Sequence, residues 1–294
     1  MAARFALMID PVPADAEDGD FAATFQVVDP SAPALSVSEL STQRGDGIFE
    51  TIGVVDSHPQ EVGAHLDRLA HSAGLCDLPV PHLGQWRQAV ARAAVECGPG
   101  EGAVKLILSR GVEHGPAPTA WVTAAAAPDN TVPRTRGIRV VTLDRGIDSG
   151  AAERAPWLLL GAKTLSYAVN MAALREAHRR DADDAIFVTS DGFVLEGPTS
   201  SVVLRFGDRY VTPATGTGIL HGTTQISLFD HLRASGRTAQ YEAVPVDALV
   251  RADAAWLVSS VRLAAPVTAI DGRAIPVDAE ATASFNRYLL SPRD

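Results

Sequence analysis

Cysteine is nearly absent: the 294 residues contain only Cys76 and Cys97, far apart and outside any CxxC spacing. That excludes a disulfide framework and a thiolate zinc cluster, and it fits a reducing compartment. Positive charge is also short, with 25 Lys and Arg against 35 Asp and Glu and a formal net charge of −10. Nucleic acid and anionic membrane both demand clustered cations, so neither is expected as a partner. No apolar run approaches the ~18 residues of a membrane span. The opening MAARFALMIDPVPADAEDGD is too acidic, and its apolar stretch too short, for a secretory leader. His58, His65, His71, His82, His178 and His231 show no metal-ligand spacing. These exclusions leave a cytoplasmic protein that acts on a small soluble molecule. Its length suits two ordinary domains.

What is present mixes helix and strand in the manner of the α+β class. GIFETIGVVDSHPQ alternates and is rich in β-branched residues, with turns at RGDG before it and at Asp56 to Pro59 after it, which predicts a strand. The RGD within that first turn is read simply as a turn. EVGAHLDRLAHSAGLCDL carries Val62, Leu66, Leu69 and Ala73 at helical spacing, and LGQWRQAVARAAVECG predicts a second helix. GAVKLILSRG and TAWVTAAAA read as an antiparallel pair of strands. APDNTVPRTRG then gathers Pro, Asn and Gly between two apolar runs. The domain boundary is placed there, giving a smaller α+β domain over 1–130 and a larger one over 131–294.

In the second half, IRVVTLD and WLLLGA read as strands, and Ser166 onward reads as an amphipathic helix through Val169, Ala172, Ala173, Glu176 and Ala177. DAIFVTSDGFVLEGPTSSVVLRFGDRYVTP reads as three strands punctuated by DG and GD turns. TGTGILHGTTQISLFDHLRASG is a glycine loop followed by a helix that stops at Gly236, and AAWLVSSVRLAAPVTAIDGRAI supplies further strand.

Four features carry chemistry. Lys163 is placed at the junction of an apolar strand and a helix N-terminus, where desolvation and the helix dipole would lower its pKa, as a Schiff-base amine requires. On local sequence alone it is equally a lysine snorkelling from a strand end. Tyr167, four residues on, would share its face if both are helical; otherwise it is a half-buried core aromatic. Glu196 lies in an otherwise uncharged stretch, FVLEGPTSSVV, and implies either a cation partner such as a protonated pyridine nitrogen or a solvent-facing position beside a turn. GTGILHGTTQ offers glycines, the hydroxyls of Thr223 and Thr224 and a helix start, which together suit a phosphate. Gly216, Gly218 and Gly222 give GxGxxxG, one residue longer than the dinucleotide fingerprint and without its βαβ setting. Arg68 on the first helix could add a charge-assisted contact, and VSSVR at 258–262 could add donors; by themselves these are a solvated arginine and an ordinary turn.

In this order and combination, the segments from RGDGIFET to SSVRLAAPV resemble the class IV aminotransferases, the fold-type IV pyridoxal-phosphate enzymes. The resemblance implies a two-domain fold like that of D-amino-acid aminotransferases, with the cofactor in the interdomain cleft and the Schiff-base lysine on the larger C-terminal domain. It implies that Arg68 in HLDRL binds the phosphate, that Lys163 in KTLSYAVN forms the Schiff base and that Tyr167 contacts the ring oxygen. Glu196 in LEGPTSS would hold the pyridine nitrogen and Leu220 in GILHGTT would pack on the ring. Thr223 and Thr224 would form the phosphate loop, and Ser259 and Ser260 a turn near the phosphate and the substrate carboxylate. Members are usually homodimers. D-amino-acid aminotransferases carry an Arg and a His two apart after the strand that here reads KLILSRG; VEHGPAPTA offers His114 and no second arginine. RGDGIFET, LSRG, KTLSYAVNMAALREA and SSVRLAAPV look closest to aminodeoxychorismate lyases. That reaction is therefore expected, with transamination of D-amino acids of the D-alanine type, or of branched-chain amino acids, as the alternative or as a second activity. Arg110, Arg262 and the serine turn are candidate donors to the substrate's carboxylates.

Overall fold

A computed structural model describes residues 3–294. By their contacts the residues form two compact units. Unit 1 runs to Pro128 and includes Ala162–Tyr167 and Ser291–Asp294; unit 2 comprises Asp129–Gly161 and Ala168–Leu290.

Unit 1 contains strands β1 (Phe5–Ile9), β2 (Phe25–Val28), β3 (Gly47–Val55), β4 (His58–Pro59), β5 (Glu101–Ser109) and β6 (Thr119–Ala126). They form one antiparallel sheet in the order β2-β1-β6-β5-β3-β4. Its helices are the single-turn α1 (Leu40–Gln43), then α2 (Val62–Leu75) and α3 (Leu83–Ala94). The apolar stripe of α2, with Leu66, Leu69 and Ala73 fully buried, meets Ile48 and Ile52 of β3. Alternation along β5 turns Val104, Leu106 and Leu108 to the same core, where Trp86, Ala89 and Val90 of α3 cover them. Each large apolar side chain buried this way contributes roughly 1.5–3 kcal/mol. At the start of α3 the His82 Nδ1 accepts the N–H of Gln85 at 3.1 Å.

The segment 162–167 adds a short edge to this sheet. Thr164 pairs antiparallel with Ile48, the N–H of Phe49 donates to the Lys163 carbonyl at 2.9 Å, and that of Leu165 donates to the Gly47 carbonyl at 2.8 Å. The approach requires glycine at 47, since a Cβ there would lie 2.8 Å from both Leu165 Cδ1 and the Leu108 carbonyl oxygen. This pairing corrects the expectation that Lys163 belongs with the C-terminal half: by contact it belongs to unit 1.

Unit 2 contains α4 (Thr131–Arg136), β7 (Ile138–Asp144), α5 (Ala151–Arg154), α6 (Ala168–Arg179), β8 (Asp184–Val188), β9 (Ser201–Phe206) and β10 (Arg209–Pro213). It continues through α7 (Thr223–Ala234), β11 (Thr238–Glu242), β12 (Ala254–Ser259), β13 (Leu263–Ile270), β14 (Arg273–Ala274) and α8 (Ala279–Leu290). The sheet order is β11-β10-β9-β12-β13-β7-β8, with β14 on β13. It is mixed: β10–β11, β13–β7 and β7–β8 are parallel and the other pairs antiparallel. Phe229 of α7 and Phe285 of α8 pack around the fully buried Trp256 of β12, whose indole N–H donates to Thr282 at 2.8 Å.

Several readings of this half need correction. WLLLGA is not a strand: Pro156–Leu158 make one 3-10 turn, Trp157 and Leu158 are 74% and 46% exposed, and Leu159 is left-handed at φ 52°. No sheet edge is open to this run at β7, which is flanked by β13 and β8. The following helix starts at Ala168 rather than Ser166, and it buries Ala173 and Ala177 while Val169 and Ala172 face solvent. Lys163 and Tyr167 are therefore not on one helical face. The GD turn closes the β9–β10 hairpin as expected. At Asp191-Gly192 the predicted hairpin forms, with the Thr189 N–H on the Phe193 carbonyl, the Leu195 N–H on the Phe187 carbonyl and the Phe187 N–H on the Glu196 carbonyl, all at 2.8 Å, but its second arm is a single Val188–Val194 bridge rather than a regular strand. No helix among the described residues is long and apolar enough to cross a membrane.

Candidate active site

Strand β3 sends successive side chains to opposite faces of the unit 1 sheet, and its residues 49 and 50 serve two different clusters. Glu50 points to α2 and is fully buried. His65 and Arg68, three apart on α2, share one helix face and converge on it. Arg68 engages the carboxylate through Nε and Nη2, both at 2.7 Å, and His65 Nδ1 lies 2.7 Å from Oε2. Burial alone would raise the Glu50 carboxyl, but the charge and hydrogen bonds of Arg68 and the hydrogen bond of His65 hold it well below the usual carboxylate range. Burial pushes the His65 imidazole down, against the hydrogen bond it makes to the Glu50 carboxylate, and the nearby cations Arg68 and Lys163 push the same way as burial. Arg68 is thus clamped in a fixed orientation.

On the other face the Phe49 ring is a shared platform. Lys163 Nζ lies 4.5 Å and Lys105 Nζ 4.9 Å from its centroid, and the Tyr167 ring packs edge-on at 5.3 Å. Lys163 gains this position from β-pairing with β3 and from the Ser72 hydroxyl of α2, which accepts its N–H at 3.1 Å. The helix dipole invoked for Lys163 does not apply, because such effects fade within the first turn and α6 begins five residues later.

In unit 2 Glu196 is half-buried after β8, and the N–H of Leu220 reaches both of its oxygens at 3.3 Å. α7 starts at Thr223 from an extended Gly222 that supplies no side-chain cap. Its first turn is therefore suited to an anion. The buried Thr223 and Thr224 hydroxyls stand 3.5 and 3.2 Å from the Ser260 hydroxyl, one residue past Ser259 at the end of β12. A Cβ on Gly222 would fall 2.2 Å from Ser201 Oγ, so a side chain there would require the Ser201 hydroxyl to rotate away.

Within unit 1 the structure thus joins Lys163 with Tyr167, and within unit 2 it joins Glu196 with Leu220, and Thr223 and Thr224 with Ser260. Arg110 is occupied by the Asp46 carboxylate at 2.7 Å and by the Cys76 and Asp77 carbonyls. Arg262 pairs with Asp184 at 2.6 Å. Sequence reasoning passed over Phe49, Glu50, His65 and Lys105; a lone carboxylate inside a buried strand and an HxxR spacing on the next helix were the available signals.

The profile described as amino-transferase class IV matches residues 47–270. The chain belongs to the class IV aminotransferases. Among class IV relatives it is 46% identical, over 85% of this chain and 91% of the relative, to a bifunctional aminodeoxychorismate lyase / D-amino acid transaminase of Mycobacterium tuberculosis. Its structure is similar to a fold IV transaminase from Curtobacterium pusillum, with TM-score 0.92 and 49% identity over 97% of both chains. It is also similar to the PLP-bound form of a hypothetical aminotransferase from Mycobacterium tuberculosis, with TM-score 0.88 and 42% identity over 97% of both chains. Class IV enzymes work with pyridoxal 5′-phosphate, and the donor sets present suit it: an amine, a carboxylate fixed by a backbone N–H, and a threonine-lined helix start. This is a pyridoxal-phosphate-dependent enzyme.

Proposed function

We propose that the enzyme is a 4-amino-4-deoxychorismate lyase, forming 4-aminobenzoate and pyruvate, with transamination of D-amino acids as a second activity. The observation that carries both readings is the 46% identity, across 91% of its length, to a relative named for both activities. Arg68, Thr223, Thr224, Ser260 and the first turn of α7 take the cofactor phosphate, Tyr167 the ring oxygen, and Ser259 the adjoining turn. Leu220 packs on the ring, and Glu196 holds the proton on its nitrogen. Bound cofactor supplies an electrophilic aldehyde and a ring that accepts an electron pair. Lys163 Nζ would hold that aldehyde, and as a free amine it would remove the proton from ring C4 of aminodeoxychorismate. Loss of that proton and of the enolpyruvyl group, which leaves as pyruvate, makes the ring aromatic. For a D-amino acid the same Nζ removes the Cα proton and returns it elsewhere. We read the enzyme as a cytoplasmic homodimer, supported by the family resemblance and by the exposed Trp157 and Leu158, apolar side chains that a subunit interface would cover.

Purified, cofactor-loaded enzyme given aminodeoxychorismate without a keto acid is expected to release pyruvate and 4-aminobenzoate in equal amounts. Lys163→Ala should lower that rate by on the order of 10²–10⁴-fold. Turnover that appears only when a D-amino acid and a keto acid are supplied together would overturn the lyase and leave the transaminase.

A further inference from the structure

Tyr241 stands on β11, which closes one end of the unit 2 sheet and pairs in parallel with β10, Thr212 facing Tyr241 in register. Four residues spaced four apart along the chain meet its side chain: His221, Gln225, Phe229 and Arg233, the last three on one side of α7. The contacts divide by chemistry. The Phe229 ring and the Arg233 guanidinium pack on the Tyr241 ring, 5.5 and 5.9 Å from its centroid, while the hydroxyl serves the other two. Gln225 Nε2 donates to the Tyr241 oxygen at 3.0 Å, which leaves the Tyr241 O–H to donate to a neutral His221 at Nε2, 3.2 Å away.

These two partners bracket the segment suited to a phosphate. His221 directly precedes Gly222, and Gln225 follows Thr223 and Thr224 in the first turn of α7. Gly222 brings no side-chain cap, the device that ordinarily fixes a helix start. Thr223 and Thr224 reach Ser260 from within the segment, whereas the residues flanking it both end on one hydroxyl of a neighbouring strand. Gln225 is only 2% exposed, and a buried amide stays where its hydrogen-bond partner stands. Tyr241 is itself held in place by its ring contacts, and Arg233 adds a grip on the same strand by donating from Nε and Nη2 to the Ala239 carbonyl at 3.2 and 2.9 Å. One hydroxyl thus ties to the sheet the turn whose N–H groups are offered to an anion.

We infer that Tyr241 is a positioning residue for the cofactor phosphate: through His221 and Gln225 it holds the backbone of residues 222–224 in the geometry that grips the phosphate. The inference rests on the phosphate site proposed above at the start of α7.

The test compares cofactor-free wild-type protein with Tyr241→Phe, His221→Ala and the double variant, each titrated with pyridoxal 5′-phosphate and with pyridoxal, which lacks the phosphate. Affinity is read from the visible band that grows as Lys163 takes up either aldehyde, so no turnover is needed. Tyr241→Phe keeps the ring and its packing and removes the hydroxyl alone. It should weaken pyridoxal 5′-phosphate by on the order of 10-fold, the scale of one or two neutral hydrogen bonds, and leave pyridoxal at its wild-type affinity. A merely structural loss would weaken both aldehydes alike. His221→Ala, at an exposed position, should show a smaller loss of the same kind. The double variant should lose no more than Tyr241→Phe, because the two changes remove one hydrogen bond from its two ends. Unchanged binding of pyridoxal 5′-phosphate in either single variant, an equal loss with pyridoxal, or losses that add in the double variant overturns the role of Tyr241. A wild-type protein that binds pyridoxal as tightly as its phosphate ester would overturn the phosphate site itself and the inference with it, so the two failures are distinguishable.

Discussion

At position 50 a carboxylate with no solvent exposure sits mid-strand, and its fate decides how Arg68 is held. Removing one partner of a buried, hydrogen-bonded ion pair leaves the other charge uncompensated, which costs about 3–5 kcal/mol. Glu50→Gln is expected to lower unfolding free energy by that order in urea titrations, and to weaken cofactor binding as the guanidinium loses its fixed orientation. An unchanged denaturation midpoint would show that other contacts suffice to fix Arg68. The pairing was not legible in the sequence. Glu50 reads as one polar residue in a strand, and His65 and Arg68 as polar residues of an amphipathic helix. Only the register of β3 against α2 brings them within 2.7 Å.

The element that carries the proposed Schiff-base lysine is the short edge at 162–167. Sequence pattern placed Lys163 between a strand and a helix because WLLLGA is apolar and the periodic run begins soon after. The helix forms, from Ala168, but the strand does not, since a strand forms only where a partner edge is open. The open edge belongs to β3, and Gly47 is what lets the segment approach. Gly47→Val should push the segment off, with a stability loss of about 1–3 kcal/mol. Because ångström-scale misplacement of a reacting group is severe, kcat should fall by on the order of 10²-fold. Steady-state kinetics at saturating cofactor check this; an unaltered kcat would mean that the seat of Lys163 does not depend on the pairing. β1, β2 and α8 were also not foreseen. FALMI and FQVV are too short for periodicity to separate strand from loop, and α8 owes its place to packing on β13.

For the whole molecule, the Glu50 and His65 shifts set how stability follows pH. His65 is buried with its pKa lowered, so below about pH 6.5 the unfolded chain takes up a proton that the folded chain refuses, and stability falls as pH drops. Glu50, also lowered, adds a second loss below about pH 4.3, where the unfolded carboxyl protonates first. Urea unfolding between about pH 8 and 5 should show the first slope, and His65→Asn should flatten it. An identical slope in the variant would assign the effect to other histidines. The sequence by itself determined the α+β class, the family and the order of its motifs, because turn chemistry, period and local residue spacing are written along the chain. Tertiary structure alone decided that Lys163 rides on the sheet of unit 1, that Glu50 clamps Arg68 and that the two lysines share one ring. These depend on strand register and edge availability, which arise between segments distant in sequence and are not fixed by any one of them.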